Sequence, residues 1–343
     1  MSSQHTPRLG QVQLTHRRDA MRMREPFRIS GYLFTAMPAV IATLSDGTHA
    51  GRGEAAGVYY LQDDPDHMER EIERCRTAIE EAIESGIDRA GLRDLLPPGG
   101  ARNAVDCAMW ELESLRAGVP VWKLAGAPPP RPLVTTFTLG ADDPAELLRR
   151  LSGFPAPRAI KLKLEGDLAA DSERVRTIRK ARPDAWLAVD ANQGFGADDL
   201  DALVTMLADQ KVSLLEQPIR RGDEAILDGW KSPIPLAADE SIQDMEELDR
   251  HHGRFDVVNI KLDKCGGLTE ALMMAEHAGR LGLKVMVGNM AGSSLSAAPA
   301  FVLGQMCDIV DLDGPWFLAD DPLASDLYNE GAIMVPAALW GAA

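Results

Sequence analysis

The feature that most restricts this chain is a charge recurring where apolar runs end. Ala159-Ile160-Lys161-Leu162-Lys163-Leu164 comes first. Leu187-Ala188-Val189-Asp190, Leu214-Leu215-Glu216, Leu236-Ala237-Ala238-Asp239 and Val258-Asn259-Ile260-Lys261 follow. The steps from Lys163 through Asp190, Glu216 and Asp239 to Lys261 are 27, 26, 23 and 22 residues. Each step holds one strand, one helix and two short loops. A charge at the end of an apolar strand costs stability and suits chemistry. In a (β/α)8 barrel all strand ends converge on one mouth, where active sites lie.

Strand-like runs at 133–139, 159–164, 185–190, 212–216, 235–239, 256–261, 283–288 and 308–312 alternate with helix-like runs after Ala127-Pro128-Pro129-Pro130. Cap signals support the helices: Asp171 before Ser172–Ala181, and Thr269 before Glu270–Leu281 with Gly282 after it. Such alternation predicts parallel strands with right-handed crossovers. A doubly wound open sheet competes, but eight strands with charge at most of their ends favour a closed (β/α)7-8 TIM-like barrel.

The first third reads differently. Ile41–Leu44 followed by Ser45-Asp46-Gly47 is a strand entering a hairpin. Met68, Ile72, Cys75, Ile79 and Ile83 make one helical stripe beginning near Asp66 and ending at Gly86. Val105, Ala108, Met109, Leu112 and Leu115 make a second, closing at Gly118. The expected organisation is a mobile tail over 1–10, an α+β capping domain over 11–125, a barrel over 130–314, and a segment 315–343 returning to complete the cap.

The 343 residues carry a formal net charge of −16. A basic face is needed to bind phosphates, so nucleic acid and anionic membranes are not expected partners. No apolar run reaches the roughly 18 residues of a membrane span, and the first twenty residues hold no signal-peptide core. Cys75, Cys107, Cys265 and Cys307 are scattered without a CxxC pair, which favours buried reduced thiols and a cytoplasmic protein. Association into a homo-oligomer is compatible with a barrel of this type, and no segment requires it.

Asp190, Glu216 and Asp239 end three consecutive strands, and neighbouring strands lie about 4.8 Å apart. Three clustered carboxylates repel one another unless a cation sits between them. An all-oxygen site suits Mg²⁺, with Mn²⁺ as the second choice. None of the seven histidines falls at these strand ends, which disfavours zinc; His251-His252 reads as a solvated loop pair at the other end of the barrel. Any one carboxylate alone would be an ordinary helix cap.

Lys161 and Lys163 share one strand face. With Lys261 they reach the central cavity from opposite sides, bracketing the carboxylates. This arrangement suits removal of a proton α to a carboxylate, with a divalent ion stabilising the enediolate. Like-charge repulsion from a neighbouring lysine and the metal would lower a lysine toward the range of a useful base. One base on each face permits 1,1-proton transfer with inversion.

The Lys-x-Lys at 161–163, Asp-Ala-Asn at 190–192, Glu-Gln-Pro at 216–218, Asp-Glu-Ser at 239–241 and Asn-Ile-Lys at 259–261 together resemble the muconate-lactonizing-enzyme subgroup of the enolase superfamily. The resemblance implies Mg²⁺ on Asp190, Glu216 and Asp239, and Lys163 with Lys261 as the acid/base pair. It also implies that Lys161 supports Lys163 and the substrate carboxylate, with Asn192 and Glu240 in supporting positions. Asp311-Leu312-Asp313 is similar to the DxD motif of the dipeptide epimerases, which holds a substrate ammonium group. The stretches 101–110 and 259–272 resemble the L-Ala-D/L-Glu epimerase branch.

One departure concerns specificity. Members preferring an acidic second residue are expected to carry a cation shortly after a Pro-Phe. Here Pro26-Phe27 is followed by Arg28 alone, with Tyr32 where an arginine would be sought, and the loop 53–60 is aromatic. Arg28 and Tyr32 are therefore candidate substrate contacts, and the pocket is expected to take apolar, aromatic or varied side chains.

The expected activity is that of an isomerase: a dipeptide epimerase inverting the α-carbon of the C-terminal residue. A cycloisomerase, an o-succinylbenzoate synthase or an N-acylamino acid racemase would keep the fold and change the reaction. A non-catalytic enolase-like scaffold fits poorly, because all six lysines and carboxylates are present.

Overall fold

The computed structural model describes residues 11–29 and 32–341. The tail assigned to residues 1–10 and the side chains of Arg28 and Tyr32 lie outside the described residues. Three antiparallel strands open the chain: β1 (Gln13–Ile29), β2 (Tyr32–Ser45) and β3 (Ala50–Ala55). The hairpin after Leu44 falls where Ser45-Asp46-Gly47 signalled it, and Asp46 closes it by accepting hydrogen bonds from Thr48 N and His49 N, both 2.8 Å. Helix α1 (Pro65–Glu84) and helix α2 (Gly100–Ala117) lie on this sheet. The α1 stripe of Met68, Ile72, Cys75, Ile79 and Ile83 is buried against Leu14, Val40, Leu44 and the α2 face. Asp64 caps α1 through His67 N at 2.8 Å, and Pro65 takes the first helical position, where its missing N–H costs nothing.

The run 133–139, read as one strand, divides in two. β4 (Leu133–Val134) pairs with a C-terminal hairpin, while β5 (Thr136–Leu139) is the first barrel strand. Seven more parallel strands follow in chain order: β6 (Ala159–Lys163), β7 (Trp186–Asp190), β8 (Leu214–Glu216), β9 (Leu236–Ala238), β10 (Val257–Lys261), β11 (Lys284–Gly288) and β12 (Ile309–Asp311). β12 returns beside β5, where Leu312 N donates to Thr135 Oγ1 at 2.8 Å and Thr138 N to Asp313 Oδ2 at 2.6 Å. The ring is a nearly closed barrel, with side chains bridging its last seam.

Helices pack outside the barrel, but two start earlier than their cap signals suggested. The helix Leu168–Ala181 is capped by Asp167; Asp171 is instead buried, accepting from Glu165 N and Gly166 N and pairing with Arg174 at 2.8 Å. The helix Leu268–Arg280 is preceded by Gly267, and the Thr269 hydroxyl donates to Asp106 at 2.5 Å. Between β8 and β9 the crossover contains only a short 3-10 turn, Glu224–Leu227. His251 differs from expectation as well: it ends the helix Met245–His251 and is buried, while His252 is exposed.

β13 (Tyr328–Asn329) and β14 (Ala332–Ile333) extend the β4 pair. Before them the chain runs back along the cap: Met23 pairs with Leu318, Ala319 N donates to Arg22 O, and Arg22 pairs with Asp320. Its end reaches the cap too, where Trp340 Nε1 donates to Arg52 O at 2.9 Å.

Candidate active site

Strand alternation sets up the site. The odd residues of β6 point inward, and Ile160 and Leu162 point outward into the apolar layer under the helices. Along the interior, Ala188, Leu214, Ala237, Val257 and Met286 form an apolar floor. Two residues further along the same faces stand Asp190, Glu216, Asp239, Asn259 and Gly288. One pleat step thus converts an apolar layer into a polar one at the mouth. Backbone register aligns Lys163 with Asp190 and Asp190 with Glu216 across three strands.

Asp190, Glu216 and Asp239 are buried, and each offers one carboxylate oxygen within 4.8 Å of the others. Lys163 Nζ donates to Asp190 Oδ2 at 2.5 Å and Lys261 Nζ to Asp239 Oδ2 at 2.6 Å. Lys161 Nζ lies 2.9 Å from Asp311 Oδ2, 2.8 Å from Glu216 Oε2 and 3.2 Å from Asp190 Oδ2. Lys163 is on the second barrel strand and Lys261 on the sixth, so they face each other across the mouth.

The electrostatics fit a divalent ion. Six buried carboxyls (Asp190, Glu216, Asp239, Glu240, Asp311, Asp313) meet four buried ammonium groups (Lys161, Lys163, Lys261, Lys264), which leaves two negative charges over if all ionise. Glu216 Oε2 is buried without a well-aligned hydrogen bond, despite its closeness to Lys161. A buried anion in that state is costly unless another cation joins it. Burial pushes the Glu216 carboxyl up, and Asp190 adds to the rise. Burial acts the same way on Asp190, but Lys163 and Lys161 outweigh it and hold Asp190 below the ordinary range.

With their carboxylate partners alone, Lys161 and Lys261 have raised pKa values. Burial disfavours the charged form of Lys161, yet Asp311, Glu216 and Asp190 outweigh it and the pKa rises. Lys261 is raised likewise, burial being overcome chiefly by Asp239. A cation on the same carboxylates would compete with these ion pairs.

Asp311 and Asp313 also come to the mouth, both buried. Asp311 already accepts from Lys161 and from the Thr136 hydroxyl. Asp313 accepts from Thr138 N and from the Thr138 side chain, and it lines the cavity. The cavity above has about 780 Å³ of empty space, the solvent at its open mouth included; Asn192 and Glu240 line it with the lysines. Glu240 Oε2 is buried and unpartnered. The cap supplies an apolar wall of Met23, Phe27, Phe34, Met37, Tyr59 and Tyr60. Among the described residues, Lys161, Lys163 and Lys261 are the only cations lining the cavity. Arg28 and Tyr32, the sequence candidates for this wall, are outside the described side chains.

A family model described as enolase C-terminal domain-like matches residues 144–337. The chain belongs to the enolase superfamily. An L-Ala-D/L-Glu epimerase from Escherichia coli (strain K12) is 40% identical over 70% of this chain and 74% of its own length. An N-acetyl-D-glutamate racemase from Pseudoalteromonas sp is 38% identical over 75% and 81%. A hydrophobic dipeptide epimerase from Roseobacter litoralis is 33% identical over 92% and 94%. Among solved structures, a dipeptide epimerase from Enterococcus faecalis V583, complexed with Mg and the dipeptide L-Leu-L-Tyr, superposes with a TM-score of 0.85; it is 25% identical and covers 96% of this chain and 99% of its own.

Several residues of this enolase-superfamily site escaped the sequence reading. Lys264 Nζ donates to Asp239 Oδ1 and Asp239 O, both 2.6 Å, and to Asn259 O at 3.0 Å. Gln217 joins the loops that follow β8 and β9: its Oε1 accepts from Asp239 N and Ser241 N, and its Nε2 donates to Ile219 O. Asn259 Nδ2 donates to Glu216 Oε1 at 2.8 Å. Gly288 makes room for Lys261, since a Cβ there would fall 2.5 Å from Asn259 Oδ1 and 3.1 Å from Lys261 Cε.

Proposed function

We propose that this protein is a Mg²⁺-dependent dipeptide epimerase that inverts the α-carbon of the C-terminal residue. The observation that carries the reading is two lysines facing each other across three carboxylates gathered at one barrel mouth. Asp190, Glu216 and Asp239 would hold the ion, which when bound supplies positive charge for the substrate carboxylate as negative charge builds on it. Lys163 and Lys261 address opposite faces of the α-carbon. The one that is neutral takes the proton, and the other, as ammonium, returns one to the far face. Lys161 adds a further positive charge between the metal-ligand cluster and Asp311. The Asp313 carboxylate, lining the cavity, receives the substrate ammonium, with Asp311 held beside it by Lys161 and Thr136.

The apolar cap wall supports a substrate with an apolar or aromatic C-terminal side chain, as do the relative named for hydrophobic dipeptides and the neighbour holding L-Leu-L-Tyr. The four unpaired cysteines support a reducing, cytoplasmic setting. Among the described residues no helix is long and apolar enough to cross a membrane.

The test is a screen of mixed dipeptides in deuterated water with Mg²⁺. Mass gain at the C-terminal α-carbon, greater for Ala-Leu or Ala-Phe than for Ala-Glu, is the expected result. A second reading, racemisation of N-acylated amino acids, draws on the N-acetyl-D-glutamate racemase relative and on the prior engagement of Asp311. Exchange of N-acylated substrates with none of any free dipeptide would replace the first reading by the second.

A further inference from the structure

The wall of the cavity formed by Tyr59 and Tyr60 sits on a loop of the cap, while Lys261 sits on the barrel. One side chain joins them. β10 ends on Lys261 and passes directly into a single helical turn, Leu262–Cys265. Asp263, in that turn, is buried and crosses to the cap, where its Oδ1 accepts from Gly57 N at 2.9 Å. Ala56 N and the Asn103 side chain also donate to this carboxylate.

Gly57 has φ +71°, and a Cβ there would fall 2.0 Å from Asp63 O, so the backbone is closed tightly at that point. Val58 is then fully buried, and Leu61 N and Asp63 N both return to Val58 O. The Asp63 carboxylate fixes the far end of the loop by accepting from Gly100 N at 2.7 Å and pairing with His67 Nδ1 at 2.9 Å. Between these two anchors the loop presents Tyr59 and Tyr60 to the cavity. The Tyr60 hydroxyl is buried with no hydrogen-bond partner. A phenol in that position is costly unless a ligand answers it.

We propose that Asp263 is a positioning residue for the substrate pocket: it ties the Tyr59–Tyr60 turn to the strand carrying Lys261, so that the Tyr60 hydroxyl meets the substrate at a fixed place relative to the base. The residues around Lys261 divide the work. Lys261 faces the substrate, Asp263 fixes the cap loop, and Lys264 fixes Asp239. Burial pushes the Asp263 carboxyl up to about 7 against the hydrogen bonds it accepts, a cost consistent with a group retained for placement.

This inference rests on the epimerase reading, and its test separates the two. Hydrogen exchange of the unliganded protein is measured first, for wild type, D263A and D263N. Amides of residues 56–61 exchange faster in D263A while the barrel strands stay protected. D263N, which keeps the volume and one acceptor oxygen, lies between, and it carries the test alone if D263A does not fold. Kinetics on the dipeptide that wild type turns over follow. D263A raises KM about tenfold as the hydrogen bonds that hold the loop are lost, with kcat changed less than about threefold. Y60F raises KM as well, and the D263A/Y60F double variant shows less than the product of the two effects. Unchanged exchange at 56–61 in both Asp263 variants overturns the proposal, as does a D263A effect on kcat alone or one fully multiplicative with Y60F. If wild type acts on no dipeptide, the epimerase reading fails, and the exchange data still decide whether Asp263 holds the loop.

Discussion

Replacing Lys264 by methionine isolates the role of an ammonium group that never faces the cavity. Lys264 is 3% exposed, and its Nζ serves Asp239 Oδ1, Asp239 O, Asn259 O and, at 3.3 Å, Ile242 O. K264M keeps the stem and deletes every one of these bonds. Asp239 is then left with Lys261 as its remaining ion-pair partner. Breaking a buried pair by removing one member costs about 3–5 kcal/mol, because the remaining charge is stranded. For a urea slope of about 3 kcal/mol/M the unfolding midpoint drops by about 1–1.7 M. K261M provides the control, since Lys261 gives Asp239 one bond and otherwise lines the cavity. It should fall less in urea and lose epimerisation entirely, whereas K264M loses stability first and activity through a displaced Asp239. Saturating Mg²⁺ should recover part of the K264M deficit, a ligand at 100 times its Kd contributing about 2.7 kcal/mol. A K264M midpoint within about 0.3 M of wild type would refute the claim that this bond set supports the site.

Three further outcomes are expected. K163A and K261A should each abolish epimerisation in both directions, followed by chiral chromatography, and near-normal turnover in either variant excludes the two-base mechanism. E216Q, which leaves Asp190 and Asp239 in place, should weaken Mg²⁺ binding at least about tenfold by calorimetry, and equal affinity would move the metal elsewhere. The buried Asp106 carboxyl is pushed up to about 6 from 3.8, burial outweighing its bonds to Thr269. Since the folded state holds this proton longer, Asp106 carries no penalty below about pH 3.8, an increasing one between about 4 and 6, and a constant one of about 3 kcal/mol above. Denaturation of wild type and D106N should therefore diverge across that window, with wild type losing ground as pH rises; parallel curves would contradict the burial argument.

How much the sequence disclosed depended on the order of the structure. The barrel and its charged rim were legible because strand alternation and a nearly constant βα spacing force residues such as Lys163, Asp190 and Lys261 onto the inward face at one mouth. The division of 133–139 was not, because β4 and β5 differ only in which partner they pair with, and the partner of β4 is about two hundred residues away. The caps at Asp167 and Gly267 were missed for a related reason. Asp171 and Thr269 are good capping residues in isolation, but Asp171 lies inside the helix, accepting from Glu165 N and Gly166 N and pairing with Arg174 one turn on, and Thr269 is claimed by Asp106 from α2.

The same contrast explains why the chemistry of this chain is easier to read than its preference. Proton transfer demands lysines and carboxylates in fixed relation, and a periodic scaffold writes such a relation into the spacing. On the proposed reading the substrate side chain would be met by Met23, Phe27, Phe34 and the tyrosine loop, which come from the β1–β2 strands and a loop of the cap. Their placement follows from long-range ties such as Asp263 to Gly57, separated by more than two hundred residues. Specificity can then change by substitution in the cap without disturbing the barrel rim, provided those ties survive. A chimera exchanging Phe34, Met37, Tyr59 and Tyr60 for the residues of an acidic-preferring relative should shift preference toward glutamate and keep α-proton exchange. Loss of all exchange on the swap would mean that cap and rim are not separable.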